Sequence, residues 1–426
     1  MTLNRRGGFF YGWVIVAIAA LALLISNGLS IGGLPVFYKP IQEDLLSLGS
    51  VTLQTKDAVT GLGAGLTFLL AGVFSVITGL FVDRVGSRIF MITGSLILGG
   101  GLVYYSFATG PVDVYVSHSL LGLSLGLVGV MIQTVLVANW FRRRRGFAMG
   151  IVLTGTSFGG VLIPVIATPL IAAYGWRTAL QILSLIVWLV LLPAMIFLVK
   201  NRASDMGLDL DGADETSVNV PEPESAAGSS FIEAVGSPLF WVIGACAILI
   251  FYPIFTISQQ FNLYLQNNIG VSRELAGTAQ SMLFATSVLG KFLFGWLCDR
   301  FPTRIVMTAC CGVMFLSTLM LLGFLNASTI FLFLLPFGLG YGGSFVLIQL
   351  LTVESFGLKD IGKILGAITL IETLGGFLGS VVTGRLAAAN NGDYTFAFYG
   401  VTAAAAVAFA MTFAVNGLVK RQMRRT

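Results

Sequence analysis

The stretch GLFVDRVGSR, residues Gly79–Arg88, returns later in the chain in altered form as GWLCDRFPTR, residues Gly295–Arg304. The same shift of 216 positions, from 79 to 295, aligns glycines along both sides of the motif without a gap. Chance similarity does not keep one register over about a hundred positions, so the chain consists of two copies of one module. The aligned glycine pairs are Gly61 with Gly277, Gly122 with Gly338, Gly126 with Gly342, Gly146 with Gly362, Gly150 with Gly366, Gly159 with Gly375 and Gly160 with Gly376.

The composition of the chain is that of a membrane protein. Apolar residues make up 56% of the 426 residues, charged residues only 10%, and the mean hydropathy is +0.91. A water-soluble globule of this size could not cover so much apolar surface. A membrane span needs about 20 apolar residues, and the sequence contains six such stretches in each module. We therefore predict an all-α membrane protein with twelve transmembrane helices in two pseudo-symmetric halves of six.

The domain boundaries follow from the one long polar interval. We predict an N-terminal six-helix bundle over residues 1–199, a linker over 200–237 and a C-terminal six-helix bundle over 238–426. The linker carries eight acidic residues between Asp205 and Glu233 and the low-complexity run VPEPESAAGSS. This composition is typical of a solvated, flexible connection. A regulatory segment is the alternative interpretation.

The basic residues indicate topology rather than nucleic-acid binding. Of the 24 lysines and arginines, 18 fall in the two termini and the even-numbered loops, and five fall in the odd-numbered loops. By the positive-inside rule, both termini are expected in the cytoplasm. The net charge of +5 is then explained by this asymmetry together with contact to membrane lipid. No nucleic-acid partner is expected.

The repeated motif has the features of a conformational gate. Its first glycine lets two helix ends approach, and the aspartate one turn later can accept hydrogen bonds from a neighbouring helix N-terminus and pair with an arginine. Such a clasp holds while the cytoplasmic side is shut and breaks when that side opens. The pattern resembles the G-x-x-x-D-R-x-G-R loop of the major facilitator superfamily, with departures at Ser87 and Pro302. The predicted gate residues are Gly79, Asp83, Arg84, Arg88, Gly295, Asp299, Arg300 and Arg304.

Three further stretches narrow the resemblance within that superfamily. RGGFFYGWV (Arg6–Val14), NWFRRRRGFAMGIVLTGTSFGG (Asn139–Gly160) and FGLKDIGKILG (Phe356–Gly366) are similar to segments of bacterial monocarboxylate and oxalate/formate-type carriers. The resemblance implies a multi-pass protein of the inner membrane that functions as a monomer and moves a small organic anion. It implies no cofactor. No catalytic residues are predicted, and the four cysteines have neither metal-binding nor disulfide spacing.

Two ionisable residues within the apolar stretches are the main candidates for the transport site. A charge at bilayer depth costs on the order of 3 kcal/mol on insertion scales, so by default it faces a cavity. Lys291 lies eight residues before Asp299, and Glu372 lies ten residues after Gly362. At 1.5 Å per residue, both are about 12–15 Å from the cytoplasmic end. We therefore expect the two side chains at similar depth.

The resemblance assigns roles to these positions. Lys291 stands where the related carriers have an arginine that holds the substrate carboxylate. Ser287 replaces their proton-carrying aspartate, and Gly32 or a neighbour stands where some members have a lysine. Proton coupling would then fall to Glu372. We expect Lys291 and Glu372 to pair in the empty carrier, with substrate displacing Glu372 as it takes up a proton. The alternative is a permanent structural ion pair.

The remaining candidates are weaker. His118, the single histidine, is a candidate proton relay, with a hydrogen-bonded packing role as the alternative. Asn27, Tyr252, Gln259 and Tyr341 are predicted to contact substrate. Other polar residues that could line the path, many of them as helix–helix hydrogen bonds, are Ser26, Ser30, Gln133, Gln349 and Thr369.

The sequence therefore predicts a secondary transporter of a small, lactate- or pyruvate-like monocarboxylate, coupled to protons and working by alternating access. One buried cation opposed by one acid suits a monoanion better than oxalate. The alternatives are an oxalate/formate-type exchanger, an efflux carrier of apolar cations and a non-transporting sensor. An enzyme is not expected, because the sequence has no nucleotide-binding loop, metal cluster or nucleophile beside a base.

Overall fold

The computed structural model describes residues 10–141, 144–210, 228–357 and 359–423, without the side chains of residues 83, 145, 146 and 420–423. The described chain is almost entirely helical. In the first half, span one comprises Gly12–Asn27 with a π-helical turn, Gly28–Gly32, span two is Lys56–Val85, and span three is Ser87–Ser106. Span four comprises Pro111–Val128 and Val130–Ala138, on either side of Gly129. A short helix, Pro35–Ser47, follows span one.

Spans five and six form a single helical stretch that a glycine divides. The stretch consists of Arg145–Ile186, a π-helical turn Val187–Leu191 and Leu192–Phe197. Its apolar part covers 51 residues, about 77 Å at 1.5 Å per residue, more than twice a hydrocarbon core of about 30 Å. Gly175, at φ 78° and ψ 163°, breaks the helix there. Because that backbone conformation favours glycine, this residue makes one apolar stretch into two spans.

The second half repeats the arrangement. Its spans seven to twelve are Pro238–Asn267, Arg273–Cys298, Thr303–Thr318 with the 3₁₀ turn Leu319–Leu321, Ile330–Phe356, Ile361–Ala389 and Thr395–Met423. The structure thus confirms the predicted all-α membrane fold. Eleven continuous apolar segments become twelve spans once the break at Gly175 is counted.

The two halves meet along two seams, one between spans two and eleven and the other between spans five and eight. A Cβ added at Gly61 would lie 2.8 Å from the Cα of Gly384, and one at Gly277 would lie 2.6 Å from Thr168 Oγ1. A shift of 216 positions converts the first contact into the second. Close backbone approach through small residues is how membrane helices associate without a hydrophobic drive from water.

Contacts between aromatic rings and glycines repeat in the same way. Gly376 packs against Phe68 on the first seam, and Gly160 packs against Phe284 on the second. These contacts also differ by 216 positions. The internal repeat therefore relates the two seams to each other as well as the two halves.

The halves separate toward the end of the bundle that carries the two motif loops, which we call the motif end. At Gly150, Gly295, Gly362 and Gly366, near this end of spans five, eight and eleven, an added Cβ would have no other side chain or partner backbone within 4 Å. The same three helices are in tight contact toward the opposite end. Among the described residues, the two halves are therefore in contact at the opposite end and lie apart at the motif end, which we call open.

The part of the linker nearest the second half is attached to it. The helix Phe231–Gly236 is capped by Ser230, whose hydroxyl accepts a hydrogen bond from the backbone N–H of Glu233. The N–H of Phe231 donates to Asp360 Oδ2 at 2.9 Å, and the N–H of Ser229 donates to the carbonyl of Phe356 at 2.8 Å. These hydrogen bonds attach residues 229–236 to the second half, whereas the sequence indicated a free connection. Residues 211–227 of the predicted linker lie outside the described ranges.

Candidate substrate site

Lys291 connects the two halves. Its ammonium group, half-buried on span eight, donates hydrogen bonds to Thr156 Oγ1 and Ser157 Oγ, both at 2.8 Å, and to the carbonyl of Leu153 at 3.3 Å. All three acceptors belong to span five of the other half. They are neutral oxygens, and no carboxylate of the described residues lies within 4.0 Å of the ammonium nitrogen. The cation is therefore hydrogen-bonded without a counter-anion.

Aromatic rings border this cation. Its nitrogen lies 5.9 Å from the centre of the Phe345 ring, and Phe345 packs on Tyr341 with ring centres 5.5 Å apart. Tyr341 in turn contacts Phe284 at 5.7 Å. At Gly342, an added Cβ would lie 2.9 Å from the backbone nitrogen of Lys291, so span ten presses closely on span eight here. The structure therefore brings Tyr341 into the neighbourhood of Lys291, as a substrate site would require.

The expected ion pair between Lys291 and Glu372 is not formed, and this expectation is corrected. Glu372 is 5% exposed, and its Oε1 has no hydrogen-bond partner in the part of the chain that the structure describes. The ammonium of Lys291 is directed instead at span five. The two residues have similar depth in the sequence, but each belongs to a different seam.

The internal repeat gives the reason for this separation. A shift of 216 positions aligns Thr156, an acceptor for Lys291, with Glu372. Glu372 therefore occupies, on the seam between spans two and eleven, the position that Thr156 occupies on the seam between spans five and eight. The same shift aligns Lys291 with Ser75 of span two. Lys291 and Glu372 therefore belong to two equivalent contacts on different seams, which is why equal depth did not bring them together.

His118 is held inside the first half. Its Nδ1 lies 2.8 Å from Thr67 Oγ1, its Nε2 lies 3.3 Å from the hydroxyl of Tyr105, and the side chain is fully buried. The ring also packs against Gly63. Both nitrogens therefore have partners within the bundle. This geometry favours the packing role that the sequence left open beside the proton relay.

Gln259 belongs to the closure at the opposite end. Its Oε1 accepts a 2.6 Å hydrogen bond from the hydroxyl of Tyr38, and its Nε2 donates to the carbonyl of Ile31 at 3.1 Å. Gln280 joins the halves similarly by donating to the carbonyl of Gly32 at 3.2 Å. In this conformation Gln259 ties span seven to the first half, so the structure does not bring it to Lys291.

The other predicted contact residues are dispersed. The hydroxyl of Tyr252 is directed toward Gly400 of span twelve, inside the second half. Asn27 is half-buried at the end of the α-helical part of span one, directly before the π-helical turn. Ser26 and Ser30 flank it with buried hydroxyls that have no hydrogen-bond partner among the described residues. Gln133 donates to the carbonyl of Val128 at 2.7 Å, while Gln349 and Thr369 are half-buried.

Sequence reasoning missed a buried carboxylate at the opposite end. Asp57 is fully buried at the start of span two, where it accepts hydrogen bonds from the hydroxyl of Tyr394 at 2.8 Å and from Gln42 Nε2 at 3.1 Å. Lys56 Nζ lies 3.6 Å from the same carboxylate. Since Tyr394 belongs to the second half, this group helps to close the halves. An acid in the first turn of an otherwise apolar helix was the available signal.

Most of the predicted gate residues are described, and the contacts seen for Arg300, Arg88 and Gly79 stay within their own halves. Asp299 and Arg300 are exposed at the end of span eight, and Arg300 stacks on Trp296 with its guanidinium carbon 3.8 Å from the ring centre. Arg88 donates to the carbonyl of Ile196 within its own half, Arg84 is exposed, and Gly79 packs against Met131. Arg304 is half-buried, Gly295 has open space beside it, and the side chain of Asp83 lies outside the description.

Solved structures share this architecture. A bacterial homologue of the human lysosomal transporter Spinster, in an inward-facing and unoccupied conformation, superposes with a TM-score of 0.75 at 16% identity, covering 98% of this chain and 99% of that one. The same homologue in an inward-facing, occupied conformation gives a TM-score of 0.71 at 14% identity. At these identities the similarity shows the fold.

Sequence relatives have diverse functions. The transporter asaE of Aspergillus flavus is 26% identical over 80% of this chain and 74% of its own length. Monocarboxylate transporter 12 of Rattus norvegicus is 25% identical over 98% of this chain and 87% of its length. The membrane sensor protein UhpC of Salmonella typhimurium is 26% identical over 56% of this chain, and the match spans only 55% of that sensor.

The family itself is established by the match over the chain as a whole. The sequence matches the Major Facilitator Superfamily over residues 7–379 and again, in its second half, over residues 243–422. This twofold match agrees with the internal repeat and with the two six-helix halves. The chain therefore belongs to the Major Facilitator Superfamily of membrane transporters.

Proposed function

We propose that this transporter carries a small organic monocarboxylate together with a proton. The observation that supports the proposal is the ammonium of Lys291, which faces three neutral oxygens and no carboxylate of the described part of the chain. A buried charge without a counter-charge is costly, and a charge-assisted hydrogen bond to a carboxylate is stronger than one to a hydroxyl. A substrate carboxylate entering from the open motif end supplies the missing charge.

Binding at this position acts directly on the contact between the halves. The hydrogen bonds from Lys291 to Thr156 and Ser157 belong to the seam between spans five and eight. When a substrate carboxylate accepts the hydrogen bonds of the ammonium group in place of Thr156 and Ser157, these bonds are lost from the seam. Substrate binding thereby favours a different arrangement of the two halves, which is what alternating access requires.

The surroundings suit a compact anion with a short carbon chain. Tyr341 and Phe345 offer apolar ring surface beside the cation, and Phe284 extends it. A lysine acts as a point charge without the planar fork of arginine, so it does not impose a bidentate orientation on the carboxylate. Short monocarboxylates can therefore present their carboxylate to this cation in different orientations.

Glu372 is our candidate for proton coupling. Its buried Oε1 has no partner among the described residues, and an ionised carboxylate in such a position would be strongly disfavoured. A protonated Glu372 removes this cost. For coupling, Glu372 takes up this proton as the substrate binds and releases it as the substrate leaves, so that one proton moves with one monoanion and the cycle transfers no net charge.

The charge distribution suggests the sidedness of the conformation. Because the positive-inside rule assigns the motif loops to the cytoplasm, the crevice is open to the cytoplasm and closed to the outside. The polar contacts of Gln259 and Asp57 then form the external closure. We place the protein in the plasma membrane, the inner membrane of a bacterium, with both termini cytoplasmic.

Counterflow in proteoliposomes tests the proposal. Vesicles preloaded with lactate, pyruvate, formate, acetate or oxalate should accumulate labelled lactate or pyruvate when loaded with a monocarboxylate, and Lys291→Ala should abolish the signal. Lys291→Arg should retain transport, because it keeps the charge. Lys363→Ala, which removes a lysine whose side chain is 69% exposed in the first turn of span eleven, is the matched control.

The outcomes also separate the alternatives. Counterflow restricted to oxalate and formate, unaffected by external acid, would establish an exchanger. Preserved transport of an apolar cation by Lys291→Ala would establish an efflux carrier. Since one relative is a membrane sensor, wild-type protein that folds but shows no counterflow with any substrate would support a sensor and contradict our proposal.

A further inference from the structure

A second polar site lies at the motif end of the first half, outside the crevice. A cavity of about 240 Å³ is bordered there by the motif loop and by the segment that follows span six. A water molecule occupies about 30 Å³ in the liquid, so the cavity has room for a larger polar group. Its lining residues are Val82, Arg84, Val85, Gly86, Ser87, Asn139, Asn201, Arg202 and Asp205.

Ser87 provides the specific observation. It is the first residue of span three and is 1% exposed, and its hydroxyl has no hydrogen-bond partner among the described residues. Gly86 before it has no side chain to cap the helix. Among the described residues, the side chain of Asn201 serves this end by accepting a hydrogen bond from the N–H of Arg88 at 2.9 Å. The helix N-terminus and the unpartnered hydroxyl thus leave donors available to a ligand.

The equivalent position in the second half shows what kind of group is missing. The shift of 216 positions aligns Ser87 with Thr303, whose hydroxyl donates to the carboxylate of Glu354. Glu354 is aligned with Ala138. In the second half, Glu354 therefore provides a carboxylate at the N-terminus of span nine. In the first half, the aligned residue Ala138 has only a methyl group.

The charged residues around the cavity favour an anion. Arg84 and Arg202 line the cavity, and among the described lining residues Asp205 is the one carboxylate. Its Oδ2 already accepts a hydrogen bond from the N–H of Arg202 at 3.0 Å. In the second half, the arginine aligned with Arg84 is Arg300, which is stacked on Trp296. Position 80, aligned with Trp296, is a leucine, so Arg84 lacks that ring.

We propose that this cavity binds a phosphate group, with Arg84, Arg202, the Ser87 hydroxyl and the N-terminus of span three as its donors. A tetrahedral phosphate accepts hydrogen bonds from several directions at once, which suits arginines and a helix N-terminus together. Two exposed apolar residues, Phe81 and Ile89, flank the motif loop in the chain. They place the site at the depth of lipid headgroups, so an anionic phospholipid is one source of the phosphate and free phosphate is the other.

Native mass spectrometry of the delipidated, purified protein tests the proposal. We expect the wild type to retain phosphatidylglycerol at concentrations at least about tenfold lower than diacylglycerol with the same acyl chains, which has no phosphate. Ala138→Glu, which introduces the acid present in the second half, and Arg202→Ala should each weaken phosphatidylglycerol binding about tenfold or more. Arg385→Ala, at an exposed arginine of the opposite end, is the matched control.

Inorganic phosphate distinguishes the two sources. If phosphate alone binds, or displaces phosphatidylglycerol, with the same sensitivity to Ala138→Glu, the ligand is free phosphate; if it does neither, the ligand is the lipid. Thermal unfolding of each variant checks that binding is not lost through misfolding. Equal retention of phosphatidylglycerol and diacylglycerol, without phosphate binding, would overturn the proposal, as would a folded Ala138→Glu variant that binds both phosphate probes like the wild type.

Discussion

The ammonium nitrogen of Lys291 on span eight lies 2.8 Å from the hydroxyl oxygen of Ser157 on span five. This hydrogen bond crosses from the second half of the molecule to the first. Ser157 also lies 3.1 Å from the hydroxyl of Ser287, one turn before Lys291 on the same helix. A single cation thus takes part both in the candidate substrate site and in the contact that must change during transport.

Removing the hydroxyls that compete for Lys291 should separate binding from turnover. In Thr156→Val with Ser157→Ala, only the carbonyl of Leu153 remains as an acceptor. A hydrogen bond to a charged group contributes about 1.5–3 kcal/mol, so we expect KM for the monocarboxylate to fall about tenfold. The maximal rate should also fall. In the wild type, the hydrogen bonds from Lys291 to Thr156 and Ser157 form again as substrate leaves and so favour its release, and the double variant lacks them.

Initial uptake rates in proteoliposomes measure both quantities. Thr154→Val is the control, since this exposed hydroxyl donates to the carbonyl of Ile151 within its own helix. A rise in KM in the double variant would show that the hydroxyls bind substrate directly.

Glu372→Gln should uncouple transport from the proton. A glutamine keeps the size and polarity of the side chain but cannot take up a proton. We expect counterflow to persist, whereas acceleration of uptake by external acid should disappear. Uptake driven by an imposed pH gradient, compared with counterflow at equal pH, measures the difference. Undiminished acid stimulation in the variant would exclude Glu372 as the coupling group.

Gly61→Val should open the end that is closed in this structure. A Cβ at Gly61 would lie 2.7 Å from the carbonyl oxygen of Ser380 and 2.8 Å from the Cα of Gly384, and backbone atoms cannot move aside cheaply. Gly362→Ala is the control, because no partner atom lies within 4 Å there.

Electron–electron distance measurements between spin labels at the exposed positions Leu53 and Asn267, one in each half, report this opening. The variant should populate longer distances than the wild type. Identical distance distributions would mean that the tight glycine contact does not control closure.

Tyr394→Phe should weaken the same closure through Asp57. The buried carboxylate would lose the 2.8 Å hydrogen bond from the other half, at a cost of about 1–3 kcal/mol. We expect a lower Tm and longer distances between the same spin labels. Tyr264→Phe is the control, since Tyr264 also packs on Phe398 but no hydrogen bond of its hydroxyl is seen in the described chain. Equal effects of the two substitutions would indicate lost packing rather than a gate.

Asp360 should control attachment of the linker helix. The N–H of Phe231 and, secondly, Lys363 hold the pKa of Asp360 below its ordinary value of 3.8. A lowered pKa means that the attachment is present above the ordinary value and is lost as pH falls through the lowered one. Hydrogen exchange of residues 229–236 should therefore be slow at neutral pH and fast in Asp360→Asn. Unchanged protection in the variant would show that Asp360 does not hold the helix.

Some of the candidate site could be read from the sequence, and some could not. The depth of Lys291 follows from helical rise, and Tyr341, which lies in its neighbourhood, was among the predicted substrate contacts. The partner of Lys291 did not follow, because equal depth leaves open which seam each residue belongs to. The alignment of Thr156 with Glu372 held that information, but it becomes interpretable only once the two seams are known to be equivalent.

The amino-acid sequence by itself determined the two modules, the six spans in each and the placement of the repeated loop, because apolar length and internal repetition are properties of a single chain segment. Only the tertiary structure decided that Lys291 meets Ser157 rather than Glu372, that Asp57 meets Tyr394, and that Ser87 lacks the acid its counterpart Thr303 has. Each of these relationships joins segments far apart in the chain. Such contacts depend on how packed helices press against one another, which no local pattern of residues specifies.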